Sequence, residues 1–339
     1  MAYALPADPM SRFVAVYKML DAERGWFGDP SSLRFAAMAA VLSPGEPSDV
    51  ARGIRRIADD IKTESGWFGA LNSPLRFIVS AMLYANGDEA APFLAEVERG
   101  QAMFRDAGLR RGGIYETMAI LIMRLRADKQ PIASSTVDRF QAIYEEMKRH
   151  HWWLTGPDDF PACAILVSQP ESPVEIGDRI EQIYRSLNAV GLPSGDPLQT
   201  AANLLYLARL EPVEAASRFR DLSRGFRQSG VSIWQTDYDE LAILSFLDHS
   251  PTSVIDRVLS NRAKMEELRP KPDRSLTFNL AASITFLELV KLDRKMKEIT
   301  DAKALMDMQA IITAQQAAAG AAASSAAVCA ASTAHAGGT

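Results

Sequence analysis

Cysteine and histidine are scarce in this chain, with two of the first and four of the second. Cys163 and Cys329 are too few and too differently placed for a disulfide framework. No Cys or His spacing supplies a recognisable zinc set, so no metal site is expected. No apolar run reaches the roughly 18 residues that span a bilayer, and no membrane span is expected. Positive charge is not in excess either. Lys and Arg number 37 against 42 Asp and Glu, a net charge of −5, which weighs against a nucleic-acid surface. The first ten residues hold Pro6, Asp8 and Pro9 without a basic stretch leading into an apolar one, so no secretory signal is expected. Phosphate loops, dinucleotide fingerprints and nucleophile elbows are missing, and no cofactor is expected. Sustained period-two alternation with turn chemistry is missing as well, which argues against strands. These absences point to a cytoplasmic, all-helical protein.

What the chain does have is a pattern recurring seven times at about 40 residues. A polar residue opens an apolar run at Arg34, Arg76, Glu116, Asp159, Gln199, Asp239 and Thr277. Three places later come Ala37, Val79, Ala119, Ala162, Ala202, Ala242 and Leu280. Gly25, Gly66, Gly108, Trp152, Gly191 and Gly230 mark the ends of the preceding segments. Periods of this size mark repeat architectures, in which each unit buries its apolar face against its neighbours.

Each repeat divides into two helical halves. The first are amphipathic: Val50 to Lys62, Phe93 to Arg105, Val137 to Lys148, Ile176 to Leu187 and Val213 to Phe226. The second are apolar on most sides: Phe35 to Leu42, Phe77 to Tyr84, Thr117 to Leu125, Ala162 to Val167, Ala201 to Leu207, Leu241 to Leu247 and Leu280 to Val290. Asp29-Pro30, Ser73-Pro74 and Asp196-Pro197 pair a capping residue with a proline suited to the first helical position. About seven hairpins of ~40 residues fit an open superhelix or an α/α toroid, and the apolar second halves favour the closed or nearly closed form. The expectation is a single helical-repeat domain over 1–310. Lys291 to Lys303 continues as a charged helix, Leu305 to Ile312 as a short apolar one, and 317–339 is an Ala-, Ser- and Gly-rich flexible tail.

Two accounts of the polar column compete. Glu116, Asp159, Gln199 and Asp239 fall near the third helical position, where a side chain reaches back to a free amide, and Asp196 with Gln199 and Thr236 with Asp239 have the capping-box spacing. Arg34 and Arg76 do not fit, since a cation in a first turn opposes the helix dipole. They either pair with Glu116, Asp159 or Asp239, or bind an anion bidentately. The run from His150 to Pro161 is the densest cluster, with two of four histidines and two of five tryptophans. His151 reads as an acid or base oriented by Asp158 or Asp159, with Trp152 and Trp153 as an aromatic wall, or as residues packing a hairpin corner.

The stretch from Lys148 to Pro161, with Leu154-Thr155-Gly156-Pro157-Asp158-Asp159-Phe160-Pro161 at its heart, resembles a bacterial family classed as a domain of unknown function, number 4003 in that series. Ser73-Pro74-Leu75-Arg76 and Pro197-Leu198-Gln199 look like further positions of that family. The resemblance covers roughly residues 10 to 310 and implies an all-helical cytoplasmic protein without an established activity. Two functional readings follow. One is a binding or scaffolding module for a small anionic ligand or a protein partner. Its site lies at the loop end preceding the second helices, with Arg34, Arg76, Gln199 and Trp153 as ligand-binding residues. The other is a toroidal enzyme acting on carbohydrates or small anions, with Glu116, Asp159, Asp239 and His151 as catalytic candidates.

Overall fold

The computed structural model describes residues 6–24, 29–64, 71 and 75–290. Gly25-Trp26-Phe27, Gly66-Trp67-Phe68, Ser73-Pro74, Cys329 and everything expected after residue 290, the tail included, lie outside the described residues. Among the described residues there is no strand. Helices α1 (Pro9–Ala22), α3 (Pro47–Glu64), α5 (Ala90–Asp106), α7 (Ser134–His151), α9 (Pro173–Ala189), α11 (Pro212–Gln228) and α13 (Pro251–Met265) are the first helices of hairpins. Their partners are α2 (Pro30–Ala39), α4 (Leu75–Ala85), α6 (Ile114–Arg126), α8 (Phe160–Leu166), α10 (Asp196–Leu207), α12 (Tyr238–Leu244) and α14 (Arg274–Val290).

Helix boundaries follow local chemistry. Asp29 accepts hydrogen bonds from the amides of Ser31 and Ser32, with Pro30 at the first helical position. Pro173, Pro212 and Pro251 open first helices in the same way, and Ser172 forms a capping box with Glu175. Gly108, Gly191 and Gly230 have φ values of 75°, 95° and 79°, the left-handed conformation that closes α5, α9 and α11.

Each first helix packs on its partner and on the first helix of the next hairpin, in unbroken order from α1 to α13. Among the second helices, α2 packs on α4, α6 on α8, α10 on α12 and α12 on α14. The last of them, α14, also touches α1 and α2. The second helices are covered on nearly every side. In α6, residues Glu116 to Arg124 are buried without a break, and in α14 Leu276 to Leu287 are. Aromatic rings fill the space between the two kinds of helix: Phe160 meets Phe104, Phe140 and Tyr144 edge-on at 5.2–5.7 Å.

A second column of residues holds the hairpins in register. Arg12, Arg56, Arg99, Arg139, Arg179, Arg218 and Arg257 recur on the first helices about 40 residues apart. Four of them donate to backbone carbonyls past the end of the next second helix. Arg12 reaches Val41 at 3.0 Å and Gly45 at 2.9 Å. Arg99 reaches Ile132 at 2.7 Å, and Arg179 reaches Leu210 at 3.1 Å. Arg139 reaches Val167 at 2.9 Å, Gln169 at 2.7 Å and Glu171 at 2.5 Å. The other three face carboxylates: Arg56 meets Glu89 at 2.9 Å and Arg218 meets Asp248 at 3.9 Å past the ends of α4 and α12, and Arg257 meets Glu288 at 3.8 Å within the last turn of α14. A guanidinium satisfies the carbonyls a helix end leaves free and suits the negative end of its dipole. A buried, two-pronged pair of Arg124 and Asp88, at 2.7 and 2.9 Å, adds a tie between α6 and the loop after α4.

Replacing Arg139 by Ala removes three carbonyl bonds and is expected to lower unfolding stability by about 2–3 kcal/mol in denaturant titrations. Arg52→Ala, at an exposed position on α3, is expected to stay within about 0.5 kcal/mol of the parent chain. Equal effects for the two would contradict a clamping role for Arg139.

Candidate functional site

The loop from Trp152 to Gly156 joins α7 to a short 3-10 turn at Pro157–Asp159, which runs directly into α8. The two indoles it carries are exposed, Trp152 at 74% and Trp153 at 63%, and they meet edge-on at 5.9 Å. Trp153 also lies edge-on to His151 at 5.9 Å. On its other side His151 faces the Tyr184 ring at 4.4 Å. Its Nε2 stands 2.6 Å from a Glu181 oxygen on α9, so Glu181, rather than Asp158 or Asp159, orients the imidazole. Glu181 is held in turn by Arg185 one turn along α9, at 2.5 Å.

Below these residues is a narrow, partly open crevice lined by Met147, His150, His151, Gly177, Ile180, Glu181, Gln199 and Asn203, with room for about one water-sized group. Several polar atoms around it are buried without a hydrogen-bond partner: His151 Nδ1, Gln199 Oε1, and both Oδ1 and Nδ2 of Asn203. Gln199 is aimed by its amide nitrogen, which donates to Thr155 Oγ1 and Asp159 Oδ1, both at 3.4 Å. It therefore spans two hairpins instead of capping its own helix. The capping box expected between Asp196 and Gln199 does not form, because Gly195 is the capping residue of α10 and Asp196 already lies inside it.

Glu116 and Asp159 do serve helix starts. Asp159 Oδ2 accepts the Gly156 amide at 3.0 Å, and Glu116 Oε2 accepts that of Gly112 at 3.2 Å. Burial pushes the Asp159 carboxyl up to about 8 and raises Glu116, with the Gly156 and Gly112 amides opposing the respective shifts. At the start of α12 the capping acid is Asp237, which accepts the Trp234 amide at 2.8 Å and meets Arg274 at 3.1 Å. Asp239 lies two residues further on, buried and hydrogen-bonded to the equally buried Glu240, whose other neighbour is Asn279. Burial raises both carboxyls of this pair.

Of the residues picked out by sequence, the structure brings His151, Trp153, Asp159 and Gln199 into one neighbourhood. Arg34, Arg76, Glu116 and Asp239 lie elsewhere. The buried Arg34 guanidinium sits 5.0 Å from the Tyr17 ring centre and donates to the carbonyl of Pro270. Arg76 lies 5.1 Å from the ring of its neighbour Phe77. Neither makes an ion pair with Glu116, Asp159 or Asp239. Asn203 and Glu181 escaped the sequence reading. Asn203 is a lone polar residue one turn beyond Gln199 on an apolar helix, which is the signal that marks it. Among the described residues no group of three or more His, Cys, Asp or Glu is arranged to hold a metal ion, and no helix is long and apolar enough to cross a membrane. Cys163 is buried, its thiol 3.4 Å from the Met147 sulfur.

The raised Asp159 carboxyl has a consequence for stability. An unfolded aspartate ionises near pH 4, whereas Asp159 keeps its proton to about 8 in the fold. Between those values the unfolded chain binds fewer protons, so stability falls as pH rises, by at most about 1.4 kcal/mol per unit. Relative to Asp159→Asn, the parent chain is expected to lose stability from pH 4 to 8. Parallel pH profiles of the two would contradict this.

No solved structure matches the chain. An uncharacterized protein of Bacillus subtilis (strain 168), YeaA, is 23% identical over 313 residues, covering 91% of this chain and 92% of its own length. Residues 16–317 match the family described as protein of unknown function, DUF4003, and the chain belongs to that bacterial family.

Proposed function

We propose that this protein is a cytoplasmic binding module, a single helical-repeat domain whose seven hairpins close into a ring. Its site lies at the end where the loops enter the second helices. Closure is supported by the contacts of α14 with α1 and α2 and by Arg34 and Tyr17, which bond the carbonyls of Pro270 and Arg269. The observation that carries the binding reading is the pair of exposed indoles, Trp152 and Trp153, standing beside a crevice with unpartnered polar atoms. Exposed tryptophans are costly to leave in water, and such groups are enriched where partners dock.

The enzyme reading has less support. Glu116 and Asp159 each commit an oxygen to a backbone amide at their own helix start, and Asp239 pairs with Glu240 away from the crevice. A hydrolase of the carboxylate type needs two acids facing one substrate-sized cavity. Engagement of Arg34 by Tyr17 and Pro270 likewise moves the expected ligand contacts toward Trp153 and Gln199.

Metabolite and peptide libraries screened by thermal shift test this. A hit is expected to stabilise the parent chain and to lose that effect in Trp153→Ala, with the hit recovered chemically unchanged. Turnover of the hit would favour the enzyme, and hits indifferent to Trp153 would place the site elsewhere.

A further inference from the structure

We infer that the loop end of the array docks on an anionic lipid bilayer surface, without a spanning helix. This assignment rests on the loop-end site proposed above and names its partner. Three of the large apolar side chains exposed among the described residues are indoles: Trp152, Trp153 and, at 59%, Trp234. They stand in the loops that enter α8 and α12, and therefore at one end of the array. The crevice beneath Trp152 and Trp153 admits only about one water-sized group. What these loops offer a partner is the faces of the rings and not a ligand-sized cavity. Indoles suit the boundary of a bilayer, where the ring enters the headgroup layer and the N–H keeps a polar partner.

Charge selects the kind of surface. The loop before α6 presents Arg110 and Arg111, both exposed and without an ion pair among the described residues. A Cβ at Gly112 would stand 2.9 Å from the ring of Phe160, the first residue of α8. That close approach brings the two arginines beside the loop carrying Trp152 and Trp153. Arg224 and Arg227, near the end of α11, precede Trp234 and are likewise exposed without an ion pair among the described residues. Last-turn cations on α3, α5, α7, α11 and α13 extend the basic rim. Helix dipoles account for cations at helix ends but not for Arg110 and Arg111, which belong to a loop. Between α5 and α12 the exposed acids of this end, Asp106, Asp158 and Asp196, are outnumbered by these cations. At the opposite end the first helices carry the other sign: Asp49, Glu175 and Glu214 lie in first turns, and Glu89 and Glu211 at caps. A chain of net charge −5 is therefore polarised along the array, and an anionic surface attracts its loop end.

The test uses the full chain and sedimentation with vesicles of phosphatidylcholine, either pure or with a third of the lipid replaced by phosphatidylglycerol. Binding to the anionic vesicles is expected to be about tenfold or more tighter than to the neutral ones, and to fall with added salt. Arg110→Ala with Arg111→Ala is expected to weaken it by about 10–30-fold. Trp152→Ala with Trp153→Ala is expected to weaken it by about tenfold. Val213→Ser, at an exposed position at the opposite end, is expected to bind as the parent does. All four substituted loop residues are exposed, so Tm is expected to stay near the parent's. If a variant fails to fold, quenching of the parent chain's tryptophan fluorescence by bromine-labelled anionic lipid decides instead. No sedimentation, equal binding to both vesicles, binding indifferent to the arginine and tryptophan pairs, or no such quenching would overturn the assignment. Trp153-dependent stabilisation by a soluble metabolite or an acidic peptide, without vesicle binding, would overturn it as well while leaving the loop-end site standing.

Discussion

A helix with apolar residues on every side cannot face water, and seven such helices in one chain must each find cover on all sides. That constraint organises this protein. A first helix covers one side of each second helix, and for most of them a neighbouring second helix covers another. Burial is non-directional and does not set the angle or register between hairpins. Arginines on the first helices add that direction, most of all Arg12 and Arg139, because a guanidinium bonded to two or three carbonyls tolerates little sliding. Arg139, holding Val167, Gln169 and Glu171 together, is the fullest case.

The proposed site follows from the same layout. Every second helix must be entered by a loop, so one end of the array gathers loops and helix N-termini, with their free amides. Two members of the polar column, Glu116 and Asp159, are spent there, and Asp29 and Asp237, which lie outside the column, satisfy amides at helix starts in the same way. Gln199 is different, because Gly195 takes over the cap and releases its side chain to reach Thr155 and Asp159 in the preceding hairpin. The residues best suited to bind are those that local helix chemistry does not need.

Much of this was legible in the sequence, for identifiable reasons. The hairpin halves stood out because apolar periodicity and proline-glycine punctuation act over a few residues. The caps at Asp29 and Asp159 were legible for the same reason. The sixth acid was misplaced by two residues. The 3-10 turn Gln235–Asp237 puts the cap on Asp237, and Asp239 has a capping-box partner in Thr236 by spacing alone. The arginine column was missed because its partners are backbone carbonyls, which leave no mark on residue identity. Arg34 was recognised as anomalous in a first turn, yet its partner at Pro270 lies 236 residues away. The crevice depends on packing three helices, and only the isolated Asn203 hinted at it.

The central claim is that cover for the second helices runs round a closed circuit, with α14 completing it against α1 and α2. Hydrogen exchange followed by mass spectrometry on Arg34→Ala tests this most directly, because Arg34 joins α2 to the loop that precedes α14. A closed circuit predicts faster exchange in α1, α2 and α14 together, with α6 and α8 unchanged. Faster exchange confined to α2, with α14 as protected as before, would contradict it.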